Sequence, residues 1–334
     1  ATGEVAPTAL EATVRMRGHD VDIAPFQLDS DGLMLGGDGR ISGGGAFAVH
    51  IASASATAPL LAAVLPALET GPVGFAPRAE ATVNLREFRT GNTGETAWTL
   101  EEGQFSCSGL ALTGPNDATL LDNLHCEARV ETNTVQVTRL EADGVSLQGT
   151  AALDLEAPAA DITASGRVAF SREQLAPWAA LETVDALDAA FILDRAELRV
   201  PPATSLPDTL ELSARIERIS ATARAPGVSE PLTSAITGGQ IGYAARTLSL
   251  KDITGEGIAL SGEVATEADS GAIEARLQGE LDLGTALVAA LLARAPVRDL
   301  RGSLNLSRAR LRYVPGAGAP ERVELEGRLE GGGA

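Results

Sequence analysis

The sequence has little of what an enzyme of its length uses for chemistry. Three His, two Cys, two Trp and two Tyr are spread over 334 residues, and aromatics make up 3%. Lysine occurs once, at Lys251; every other basic side chain is arginine. No apolar run is long enough to cross a bilayer as a helix. The longest, Ala56 to Leu68, holds two prolines and falls short of the roughly 20 residues a span requires. No basic stripe and no aromatic–basic interleaving is present, and the net charge is −19. That charge disfavours nucleic acid and anionic membrane surfaces, which are themselves negative.

What the chain does have is glycine (36), proline (17) and an apolar content of 44%. High charge alone would go with disorder. Here Leu, Val, Ile and Ala recur with a clear period, which argues for a buried apolar face.

One pattern recurs four times: apolar, three residues, Gly, apolar, any, apolar, any, Gly. Its copies begin at Leu28, Phe105, Leu140 and Ile253. The apolar pairs are Leu33/Leu35, Leu110/Leu112, Val145/Leu147 and Ile258/Leu260. Alternation puts each pair on one face of a strand. The glycine ahead of each pair permits the positive φ of a bulge or tight turn.

A longer period contains this one. A shift of 113 residues lays Val137, Leu140, Gly144, Val145, Leu147 and Gly149 on Leu250, Ile253, Gly257, Ile258, Leu260 and Gly262. The chain therefore reads as three units, roughly 1–97, 98–208 and 209–320, with 321–334 as the end of a strand and a Gly-rich tail. In the second unit, strands are expected near Thr99–Leu112, His125–Leu140, Val145–Leu155, Asp161–Phe170 and Ala189–Val200. A helix is expected over Ser171–Leu187, capped by Ser171 with Glu173 in its first turn. Its counterparts are Ala56–Thr70 and Gly284–Ala295. About five strands per unit at about 4.8 Å each predict a sheet of about 70 Å over three units. The expected fold is mainly β: an elongated, curved, repeating sheet of antiparallel strands with short helices between strands.

Most strands alternate. Val130, Val135 and Val137 contrast with Glu131, Thr134, Gln136 and Thr138; Leu210, Leu212 and Ala214 contrast with Glu211, Ser213 and Arg215. One face is aliphatic and the other charged. The aliphatic face must be covered by a second sheet, by closure into a barrel, or by a bound lipid chain. Few large rings favour a smooth wall over a sandwich core.

Repeated Gly-Val-x-Leu-x-Gly strands, then Gly-x-Leu-x-Leu, a short Leu-rich helix and another strand, resemble the AsmA/TamB/YdbH group of bacterial envelope proteins. Gly279-Glu280-Leu281-Asp282-Leu283, Leu287–Leu292 and Gly302-Ser303-Leu304-Asn305-Leu306 carry the resemblance most clearly, and the YdbH-like branch is the nearest. It extends from about Ile23 to Leu329. The resemblance implies a repeating β-groove, a trough of aliphatic side chains that carries phospholipid across the periplasm of a diderm bacterium between inner and outer membranes. It implies a non-enzymatic protein without cofactor or metal. Its partners would be phospholipid and membrane proteins reached through other parts of a longer parent. The N-terminal membrane anchor expected of the family is not in this chain, which starts Ala1-Thr2-Gly3 and reads as a segment of that parent. Leu33, Leu35, Leu110, Leu112, Val145, Leu147, Ile258 and Leu260 are the candidate trough lining, with plain core packing as the alternative. A structural or adhesive repeat protein, such as a β-solenoid stalk, is the alternative function.

Residues able to do chemistry are scattered. If Leu112 faces Leu121 across a hairpin, Cys107 faces Cys126. A cross-strand disulfide is then one reading and two buried thiols the other. His125-Cys126 lacks a second ligand pair for zinc. Asp29-Ser30-Asp31-Gly32 opens like a calcium loop, but its twelfth position is Arg40 instead of Glu. No Ser, His and Asp are spaced to suggest a triad.

Overall fold

The computed structural model describes residues 7–68, 74–92, 99–114, 118–154, 159–176, 184–200, 209–223, 231–267, 270–283, 285, 302–314 and 321–331. The protein is mainly β. Nineteen strands and two helices are present among these residues, and every strand register found is antiparallel.

The chain forms two compact units. One comprises Ala1–Gly166 with Glu197–Thr209, the other Arg167–Ala196 with Leu210–Ala334. In the first unit, β1 (Pro7–Glu11) and β2 (Val14–Arg17) both pair with β3 (Asp20–Ser30). From β3 the sheet runs in sequence order through β4 (Leu33–Ile41), β5 (Phe47–Thr57), β6 (Gly74–Asn92), β7 (Thr99–Thr113), β8 (Thr119–Glu131), β9 (Thr134–Ala142) and β10 (Val145–Asp154). Strands β11 (Ala159–Ser171) and β12 (Val184–Val200) have segments in both units. The second unit continues with β13 (Thr209–Ala223), β14 (Leu232–Ala244), β15 (Thr247–Gly255), β16 (Ile258–Thr266), β17 (Ile273–Asp282), β18 (Ser303–Tyr313) and β19 (Arg322–Glu330), again each pairing with the next.

The 113-residue period is visible in the backbone. Strands β8, β9 and β10 start at 119, 134 and 145; β14, β15 and β16 start at 232, 247 and 258. Gly144 and Gly257 turn with φ of 81° and 70°, and Gly166 and Gly279 both have φ of 138°. At Gly166 and Gly279 a Cβ would lie 2.2 and 2.0 Å from the carbonyl oxygens of Ser146 and Ala259. The backbones there approach too closely for any side chain, which explains why glycine recurs at both positions.

Three expectations change. His125–Leu140 is not one strand: Thr132 and Asn133, with φ of 44° and 58°, form a two-residue turn between β8 and β9. Positive φ at both central residues matches the right-handed twist of a hairpin. With that extra turn, six strands fall within each of the ranges 1–97, 98–208 and 209–320 among the described residues, instead of five. Of the helix expected over Ser171–Leu187, the described residues show α2, Arg172–Leu175. Ser171 does begin it, its backbone N–H donating to Gln174 Oε1 at 2.8 Å. Ala176 is its C-cap, its N–H donating to the Arg172 carbonyl oxygen, and residues 177–183 lie outside the described residues. Val184 to Leu187 already belong to β12. The first helix is α1, Ala58–Leu68. The third, Gly284–Ala295, lies outside the described residues except for Thr285.

Candidate functional site

Cross-strand register turns the alternation of single strands into rows. Directly opposed residues of an antiparallel pair share a face. In the first unit one row reads Leu28, Leu35, Ala54, Leu85, Phe105, Ala128, Val137, Gly149 across β3 to β10. The next reads Leu33, Ala56, Val83, Cys107, Cys126, Leu140, Leu147. The second unit has the same construction. Ile241, Leu250, Gly262, Leu277, Ala309 and Leu325 form one row. Ile258, Leu281, Leu304 and Leu329 form another, and Leu260 stands between Ile253 and Gly279.

Leu33, Leu35, Leu147, Ile258 and Leu260 stand in these rows, whereas Leu110, Leu112 and Val145 stand opposite Leu124, Leu121 and Ala142. Leu33, Leu35, Leu112, Leu147, Ile258 and Leu260 are half-buried. Leu110 and Val145 are buried, at 5% and 6% exposure. Leu110 belongs to a core cluster with Leu61, Ala81, Cys107, Leu124, Cys126 and Ala128. Helix α1 supplies Leu61 to that cluster and packs Leu65 against it. Part of the aliphatic face of the first unit is thus covered by its own helix. Sequence periodicity could not separate these covered positions from the half-exposed ones, since both carry the same residue types.

Cys107 is directly opposite Cys126, and Leu112 is opposite Leu121, with register shifts between the two pairs. Both cysteines are free thiols in this structure and both are buried. The hydrogen bond to the Cys126 sulfur, then burial, pushes the Cys107 thiol up from its ordinary value. The same hydrogen bond lowers Cys126. Both sulfurs are buried, so the pair presents no exposed nucleophile.

The opposite face is polar and knit by ion pairs. Arg40 reaches Asp20 at 3.3 Å and Asp22 at 3.5 Å, Arg89 meets Glu102 at 2.9 Å, and Arg78 meets Asp122 at 2.8 Å. His50 lies between two carboxylates, with Nδ1 at 2.9 Å from Asp38 and Nε2 at 3.0 Å from Glu87. These hydrogen bonds, Asp38 first, raise its pKa above the ordinary histidine value. No spacing in the sequence links His50 to these partners, because Asp38 and Glu87 lie on the neighbouring strands β4 and β6.

Hollows open on this polar face. One of about 610 Å³ lies among Gln27, Met34, Ser53, Ser55, Asn84 and Arg86. Another of about 550 Å³ lies among Arg86, Gln104, Glu127, Arg129 and Thr138. Neither contains a nucleophile held by a base. Among the described residues no three His, Cys, Asp or Glu side chains are grouped to hold a metal ion, and no helix is long and apolar enough to cross a membrane. No family model matches the chain, and no curated protein and no solved structure matches it.

Proposed function

We propose that this protein is a non-enzymatic conduit that binds phospholipid acyl chains along its aliphatic face and carries them across the periplasm of a diderm bacterium. The observation that carries this reading is the cross-strand register. It joins half-buried Leu, Val and Ile residues into rows several strands wide in each unit. Drawing an acyl chain into water costs about 0.8 kcal/mol per CH₂. A face of aliphatic side chains removes much of that cost while the headgroup stays in solvent. A wall almost free of rings and charges has no deep pocket at which a sliding chain would stop. Such a protein would take phospholipid from one membrane and deliver it to the other. Membrane proteins at each end would be its partners.

An adhesive or structural stalk would use the same alternation. A solenoid, however, stacks successive coils as parallel strands, whereas the registers here are antiparallel meanders. Mass spectrometry of solvent extracts from the purified protein tests the proposal. Phospholipid in a fixed ratio to protein is the expected result. Lipid-free protein that takes up none from vesicles would end the conduit reading.

A further inference from the structure

Helix α1 follows β5 and lies on the aliphatic face of the first unit, chiefly against β6. Its sequence is Ala-Pro-Leu-Leu-Ala-Ala-Val-Leu-Pro-Ala-Leu, without one charged or hydrogen-bonding side chain. Leu61 and Leu65, four residues apart, share one side of the helix. Leu61 is 6% exposed within the core cluster, and Leu65 packs against it. Pro59, Ala62, Ala63 and Val64 are exposed.

The seat of α1 is part of the aliphatic rows. Ala56, Val83, Cys107, Cys126 and Leu140 stand side by side in one row, and each is in the cluster with Leu61 or packs against it. Leu28, Leu35 and Leu85 of the neighbouring row are half-buried and outside that cluster. The helix thus occupies surface that an acyl chain would use.

The start of α1 is fixed. Thr57, the last residue of β5, donates its N–H to the Gly32 carbonyl oxygen at 2.9 Å. A Cβ at Gly32 would stand 3.0 Å from Thr57 Oγ1 and 3.4 Å from Leu60 Cβ, so the helix begins hard against the turn between β3 and β4. Beyond this end, α1 has no side chain able to make an ion pair or a hydrogen bond, and Pro66 lacks the N–H that would bond the Ala62 carbonyl. Leucine burial holds its described side chains to the sheet. An acyl chain offers the same kind of contact: burying a leucine side chain is equivalent to burying about two to four methylenes. A chain entering the row can therefore take the place of Leu61, and the helix can settle back when it leaves.

We infer that α1 is a displaceable lid, hinged at Thr57, that rests on the row of Ala56, Val83 and Cys107 when no chain is bound and lifts to admit one beneath it. The inference rests on the conduit reading and adds a closed state to it, in which the empty row is kept from water.

Vesicles holding a phospholipid with a diazirine in its acyl chain test the lid. Protein loaded from them is irradiated, and the labelled residues are mapped by mass spectrometry. Label is expected on Leu61, Ala81 and Leu110, under the helix, as well as on Leu28, Leu35 and Leu85. Label on the second set alone would overturn the lid and leave the conduit standing; label on neither would end both. The rate of uptake of a fluorescent phospholipid is the second measurement, with circular dichroism of each variant to confirm folding. Leu61→Ala is expected to load at least about fivefold faster than wild type, because less leucine surface must leave the sheet. Val64→Ala, at an exposed position, is expected to load at the wild-type rate. Folded Leu61→Ala that loads no faster than wild type would also overturn the lid.

Discussion

At the scale of single residues, the cysteine pair is the most constrained feature. Opposed residues in an antiparallel pair have Cα atoms about 4.5–5.5 Å apart, inside the range a disulfide spans. Cys107 and Cys126 therefore need little movement to join. In an oxidising compartment the protein is expected to carry that bond, closing a loop of about 19 residues and adding about 3 kcal/mol. Alkylation after denaturation without reductant checks this. No modified cysteine is the expected outcome; two would show that the pair stays reduced.

His50 gives a pH dependence whose sign follows from its raised pKa. The folded state binds the imidazole proton more tightly than the unfolded chain does, where the pKa is about 6.5. The stabilisation is complete below that value and is lost as pH rises through the folded pKa. Wild-type protein should lose stability relative to His50→Gln as pH rises above about 6.5, measured by denaturant titration at each pH. Parallel curves for the two proteins would contradict it. Other residue-scale features were legible from spacing. Gly144, Gly166, Gly257 and Gly279 stood out because the backbone there demands glycine. The turn at Thr132-Asn133 was not legible, since threonine gives no sign of positive φ. Its counterpart at Ala245-Arg246, with φ of 47° and 64°, gives even less.

At the scale of elements, strands were easier to read than helices. Period-two alternation over Thr134–Ala142 or Ile273–Asp282 encodes the strand and its inner face together. The helix at Ser171 had a sound start, but its expected end at Leu187 falls inside β12, because Val184 and Leu187 fit helical and strand spacing alike. Register shifts, such as those in the pairing of β7 with β8, leave no mark on alternation within either strand. Nor does alternation show that Leu110 joins the cluster under helix α1 while Leu112 stays half-buried. Helix α1 matters because Leu61, 6% exposed, anchors it to the sheet. Leu61→Ala should cost about 2–5 kcal/mol in denaturant titration, the usual range for a buried leucine. A loss well under 1 kcal/mol would mean that α1 is not fixed to the sheet by this contact.

At the scale of the whole molecule, composition and repeat support one another. A net charge of −19 accompanies a face of interleaved Arg and acidic residues, which keeps a two-faced sheet in water. The other face carries few groups besides aliphatic side chains and glycine. Its continuity across strands was only implicit in the sequence. Spacing gave each strand's inner residues, and pairing alone showed which of them stand side by side. The aliphatic face and its proposed cargo are tested most directly by position-specific photo-crosslinking in cells. Probes at Leu35, Leu147 and Leu260 should capture phospholipid, while probes one residue away, at Met34, Gln148 and Ala259 on the opposite face, should not. Equal capture at both sets, or none at either, would contradict the account.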